Sequence, residues 1–173
     1  MAETAHDRSW RKIAIFTVLG IELAGGLSGW LSNSGYANPW FDALEKPFFM
    51  PPGWLFGVVW PILYALLGIA VAMILAEPRS ERRRSGLLFF LFQLALNFAW
   101  SPIFFAGHDI KLSKIVIFLM AAIAAAAAGQ FTRIRPVAGL LMVPYIVWLV
   151  FAGTLNATIL NLNPTAGTSL LGL

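Results

Sequence analysis

Gln93, Asn97, Trp100 and Phe104 follow one another at intervals of four, three and four residues. In a helix that spacing puts all four on one face. Tyr145, Trp148, Ala152 and Asn156 make a similar stripe further along, and Phe56, Trp60 and Tyr64 make a third at i, i+4 and i+8. The stripes mix large aromatic rings with hydrogen-bonding groups. Such rings can hold a flat apolar molecule by offset stacking, while amides such as Gln93 and Asn97 fix its polar edge. The same residues can equally serve helix–helix hydrogen bonding and aromatic packing, so the stripes alone leave both uses open.

Other chemistries are poorly supplied. The chain has no cysteine, which excludes disulfides, thiolate nucleophiles and cysteine-based metal centres. Its two histidines, His6 and His108, are far apart, so no metal site is expected. No Ser/His/Asp set, no carboxylate pair within a span and no glycine-rich phosphate loop is present. An enzyme built on this chain would have to work through its aromatic residues or a bound chromophore.

The elements that position the stripes follow from composition. Of 173 residues, 59% are hydrophobic and 12% charged, against about a quarter charged in soluble domains. A hydrocarbon core about 30 Å thick needs about 20 apolar residues per helix. Apolar stretches of that length predict helices over 12–31, 54–76, 86–106, 112–131 and 137–160. The expected fold is all-α: a single membrane domain over 1–173, a bundle of five transmembrane helices in the lipid bilayer. The first stretch is long, contains Glu22 and lacks a small-residue cleavage site, so it reads as a helix of the mature protein. The alanine run Ala121–Ala128 predicts close helix packing in the fourth span.

The net charge of +4 does not point to nucleic acid, because the basic residues sit in short interhelical segments. With five spans, Arg8, Arg11, Lys12, Arg79, Arg82, Arg83, Arg84, Arg133 and Arg135 share one side, and only Lys46, Lys111 and Lys114 lie on the other. Basic loops favour the cytoplasm, which predicts a multi-pass protein of a cell membrane with its N-terminus cytoplasmic. The tail after Asn163 is small and polar and is expected to be loose, with Asn161 and Asn163 capping the last helix.

The connector at 32–53 is unlike the others. Its stretch from Trp40 to Trp54 is aromatic and carries Pro47, Pro51 and Pro52. A stiff apolar connector predicts a lid folded over the stripes. Glu22, the one charged residue inside a span, shares a face with Gly25, Gly26 and Gly29. That face suits close helix contact with the carboxyl hydrogen-bonded across it, or a proton-coupled role. Ala95, Ala99 and Ala106 form a small-residue ridge roughly opposite the polar stripe, which motivates a homodimer through the third span, with the Gly25/Gly29 face as a further contact.

Three ordered motifs carry a resemblance. They are Trp40-Phe41-x-x-Leu44-x-Lys46-Pro47-x-x-x-Pro51-Pro52 with Phe56, Val59-Trp60 and Tyr64; Gln93-x-x-Leu96-Asn97-x-x-Trp100-Ser101-Pro102-x-Phe104-Phe105; and Pro144-Tyr145-x-x-Trp148 with Leu155-Asn156. The chain resembles the TspO/MBR family of tryptophan-rich sensory and translocator proteins over nearly its whole length. The resemblance implies a membrane receptor or transporter, usually homodimeric, that requires no cofactor and binds porphyrins or haem-like tetrapyrroles and other hydrophobic small molecules beneath the first connector. By position, the implied pocket is Phe41, Trp60, Gln93, Asn97, Trp100, Trp148 and Ala152. It also implies an alternative, light-dependent degradation of bound porphyrin through Trp60 and Trp148. Two departures stand out. Many relatives have tyrosine where this chain has Phe41, and no basic residue follows Tyr145 as the proposed sterol motif requires.

Overall fold

The computed structural model describes residues 5–167, with side chains from residue 10 onward. The described residues form an all-helical bundle in the order α1 (Ala5–Leu31), α2 (Pro39–Ala43), α3 (Gly53–Leu75), α4 (Glu81–Ser101), a π-helical turn (Pro102–Ala106), α5 (Ile110–Thr132), α6 (Pro136–Leu141) and α7 (Val143–Leu162). Five segments are long and apolar enough to cross a membrane, with α4 and its π turn making the third and α6 with α7 the fifth. The chain is a multi-pass integral membrane protein.

Local chemistry moves several expected boundaries. Helix α4 begins at Glu81, not near residue 86, because Ser80 caps it by accepting from the Arg83 N–H at 3.1 Å, and Glu81 suits the first turn. Arg82, Arg83 and Arg84 are therefore helical. Asp109 caps α5, accepting from Leu112 N–H at 2.8 Å. The fifth span is not continuous: it breaks at Met142, two residues before Pro144, which has no N–H to continue the ladder. Pro102 acts similarly in α4. Its missing N–H releases the Phe98 carbonyl, which instead accepts from the Ser28 hydroxyl of α1 at 2.6 Å. The turn beyond it widens, with Gly107 N–H donating to Pro102 O at 2.8 Å. The widened turn lets the adjacent Phe104 and Phe105 both bury.

The bundle has two unlike halves. Toward the basic end it is solid. Leu67, Ala70, Ala72 and Ile74 of α3 are fully covered, as are Ala124, Ala127 and Phe131 of α5. One face of the alanine run, Ala121, Ala124, Ala127 and Ala128, thus lies in the core, and Phe90 stacks on Phe131 with centroids 5.7 Å apart. Helix α1 crosses α3 so closely that a Cβ on Gly68 would stand 2.6 Å from Val18 Cα, and Thr17 Oγ1 donates to Gly68 O at 2.7 Å. Trp10 takes the Arg11 and Arg135 guanidinium groups over its ring, and Arg135 pairs with Glu77 at 3.6 Å. The other half is hollow.

Candidate functional site

The hollow half holds a cavity of about 640 Å³, within the ordinary range of about 300–1,000 Å³ for small-molecule sites. The connector roofs it. Within the connector, Asn38 caps α2 by accepting from Trp40 N–H and Phe41 N–H at 3.0 and 3.2 Å, and its amide donates to Phe105 O at 3.2 Å. Phe41 is thereby pressed edge-on against Tyr36, Phe104 and Phe105, with centroids 5.2–5.9 Å apart. The Lys46 ammonium sits 4.9 Å over the Phe41 ring and donates to Asp42 O and Leu44 O. The Tyr36 hydroxyl donates to Pro51 O at 3.0 Å, and burial, with the Asp42 carboxylate second, raises its pKa.

The roof is also tied to the far end of α7. Asn163 accepts from Glu45 N–H and donates to Glu45 O, both at 2.9 Å, while donating to Ile159 O at 2.8 Å. Trp40 Nε1 donates to Ala166 O at 3.0 Å. The expected loose tail is corrected as far as Gly167: residues 163–167 are clamped to the roof, because the Asn163 amide and the Trp40 indole each find backbone partners there. The remaining tail lies outside the described residues. Asn163 does more than cap its helix, whereas Asn161 is simply exposed.

The walls are the predicted stripes, apart from Gln93 and Tyr145. Phe41, Trp60, Asn97, Trp100, Trp148 and Ala152 all line the cavity, as do Phe56, Tyr64, Phe104 and Asn156. Trp60 and Tyr64 sit with centroids 5.2 Å apart, and Phe56 meets Trp148 edge-on at 5.7 Å. Trp100 is a fixed panel: it stacks on Phe104 at 5.0 Å and donates to Ser113 O at 3.0 Å.

Among the seven residues of the implied pocket, Gln93 is the exception. It is fully buried beneath the cavity and does not line it. Its Oε1 accepts from the Tyr145 hydroxyl at 2.7 Å, Tyr145 accepts from Asn97 Nδ2 at 3.0 Å, and Asn97 Oδ1 accepts from the Tyr64 hydroxyl at 2.8 Å. Only Asn97 and Tyr64 of this chain of bonds reach the cavity. Gln93 and Tyr145 support the floor from below, which spacing could not distinguish because both share a helix face with cavity residues. Two lining groups remain without partners among the described residues, the Trp148 indole N–H and Asn156 Oδ1. Asn156 uses its amide nitrogen on Ser113 Oγ at 2.9 Å.

Sequence reasoning missed part of the wall. Glu22, Gly25, Gly26 and Gly29 line the cavity. Gly25 is tightly packed under the Tyr64 ring, where a Cβ would overlap it, while a Cβ on Gly26 would meet open space. The glycines signalled close contact, and only the carboxyl hinted at something more. Met50 of the connector also lines the cavity, as do Ile117 and Met120, which nothing in their sequence setting marks. No group of three or more metal-ligating side chains occurs among the described residues.

Comparison with known proteins agrees with this architecture. The model of the TspO/MBR family matches residues 16–162. Protein CrtK of Rhodobacter capsulatus is 34% identical over 154 residues, covering 88% of this chain and 94% of its own. Tryptophan-rich protein TspO of Chlorobaculum tepidum is 36% identical over 147 residues, with 84% and 93% covered. The translocator protein of Sus scrofa is 36% identical over 143 residues, with 80% and 85% covered.

Proposed function

We propose, on the premise that this chain belongs to the TspO/MBR family, that it binds a porphyrin or related tetrapyrrole in the roofed cavity and serves as a receptor or transporter for it. The observation that carries this is the wall itself. Trp60, Trp100 and Trp148 line one apolar space under a roof that is stapled through Trp40 and Glu45 to the end of α7. A flat macrocycle can stack on those rings, each contributing on the order of 1 kcal/mol beyond area burial.

Quenching of tryptophan fluorescence by protoporphyrin in detergent tests it. Trp148→Ala should weaken binding by about tenfold, the equivalent of ~1.4 kcal/mol. Unchanged quenching in Trp60 and Trp148 variants removes both residues from the site. A second reading, photo-oxidative breakdown of the bound porphyrin with dioxygen as oxidant, is favoured by Trp60 and Trp148 lining the same space. Illumination of the loaded protein separates the two: a new absorbing product in the wild type that fails to form in Trp60→Phe and Trp148→Phe supports breakdown.

The proposal includes a homodimer and a cytoplasmic N-terminus. Ala95 and Ala106 are exposed on the single chain, and the basic residues gather at the solid end. Because the chain lacks cysteine, single substitutions report cleanly. Crosslinking from Ala95→Cys that gives only monomer, or labelling of Lys46→Cys from the cytoplasmic side, contradicts these parts respectively.

A further inference from the structure

Glu22 is the one side chain that α1 contributes to the cavity lining, since its other lining positions on that helix are Gly25, Gly26 and Gly29. The outward face of α1 is entirely different, with Phe16, Leu19, Leu23 and Leu27 exposed where lipid would be. Neither a hydrogen bond nor an ion pair joins Glu22 to another described residue. Among the described residues, no lysine, arginine or histidine lines the cavity. Three donors of the wall are committed elsewhere: the Tyr64 hydroxyl to Asn97, the Asn97 amide to Tyr145, and the Tyr36 hydroxyl to Pro51.

A carboxyl at membrane depth is costly and is ordinarily paired within the protein. Here the protein supplies no partner, and Gly26 and Gly29 on the same helix leave space for one. The surrounding wall is rich in ring faces, Trp60 and Tyr64 among them, which attract cations through their quadrupoles. A single carboxyl among aromatic rings, with no basic residue in the wall, is complementary to a positive charge on an apolar guest. The chain's net charge of +4 opposes such a guest at long range, so any preference for it must arise locally.

We propose that the cavity selects aromatic guests bearing a cationic nitrogen, and that Glu22 is the residue that reads the charge. This rests on the cavity being a ligand site, not on the guest being a tetrapyrrole. Three fused-ring probes of similar size test it by tryptophan quenching: 9-aminoacridine (a cation), anthracene (neutral) and 9-anthracenecarboxylate (an anion). The wild type should bind them in that order of falling affinity. Glu22→Gln should weaken 9-aminoacridine by about tenfold or more, leave anthracene unchanged and improve the anion. Glu22→Asp keeps the charge and should retain part of the preference, with thermal unfolding showing that both variants fold. An unchanged cation-to-neutral ratio in Glu22→Gln, with the wild type preferring the cation, overturns the role of Glu22. Equal wild-type affinity for cation and neutral probes overturns the selectivity itself. Failure of all three probes to bind overturns both this inference and the ligand-site reading beneath it, whereas binding that is blind to Glu22 leaves the latter standing.

Discussion

The solid half and the roofed half of this bundle are built from the same spans by different means. In the solid half, small residues bring backbones together and large ones fill what remains, as at the α1–α3 crossing around Gly68 and in the Phe90–Phe131 stack. In the roofed half, rings face a void, so packing alone cannot fix them. They are held by directional bonds: Trp100 to Ser113, Tyr64 through Asn97 to Tyr145 and Gln93, and Asn163 to Glu45. In a bilayer, lipid tails remove the hydrophobic drive between helices, and association depends on close packing and hydrogen bonds. The solid half leans more on the first and the roofed half more on the second.

That contrast can be attacked from its strongest side first. Phe90→Ala removes a ring that is 1% exposed in the solid half, and should cost about 3–5 kcal/mol of stability in detergent unfolding. Phe56→Ala, on the cavity wall, should cost less than ~1.5 kcal/mol while weakening protoporphyrin binding. Comparable losses in both variants would show that the two halves are not held differently.

A smaller effect separates their glycines. Gly68→Val meets α1 backbone and should cost about 1–3 kcal/mol. Gly57→Ala in α3 meets nothing within 4 Å, and should instead be neutral or stabilise by up to about 1 kcal/mol, since alanine favours the helix. Thermal unfolding of the pair gives opposite signs if the void is real. Smallest in global terms is Asn163→Ala. Loss of the latch should leave overall unfolding within about 1 kcal/mol of wild type, yet raise amide exchange across the connector by about tenfold relative to the bundle. Unchanged exchange there would mean that the Phe41 cluster alone holds the roof.

Much of this was legible in the residues. Apolar length gave the five spans, because bilayer thickness leaves little choice. Helical spacing put Trp60, Asn97, Trp100, Trp148 and Ala152 on faces that do line the cavity. Spacing also promoted Gln93, which shares the Asn97 face but lies one turn deeper, under the floor. It undervalued Glu22 because a glycine-rich face resembles a helix contact whether it meets a neighbour, as Gly25 meets Tyr64, or a void, as Gly26 does. The break at Met142 and the π turn after Ser101 follow from Pro144 and Pro102, yet a proline's consequence depends on which carbonyls find new partners.

By itself, the sequence determined a five-span, all-helical membrane protein with an apolar, proline-stiffened connector and three aromatic stripes. Those properties are set by composition and by the helical repeat, which act locally. Only the tertiary structure decided that the stripes enclose a cavity, that the tail is clamped to its roof through Asn163 and Trp40, and that Glu22 faces inward without a partner. Depth along a shared face, and the question of which face meets a void, depend on how far each helix slides and turns against its neighbours. No local period encodes that.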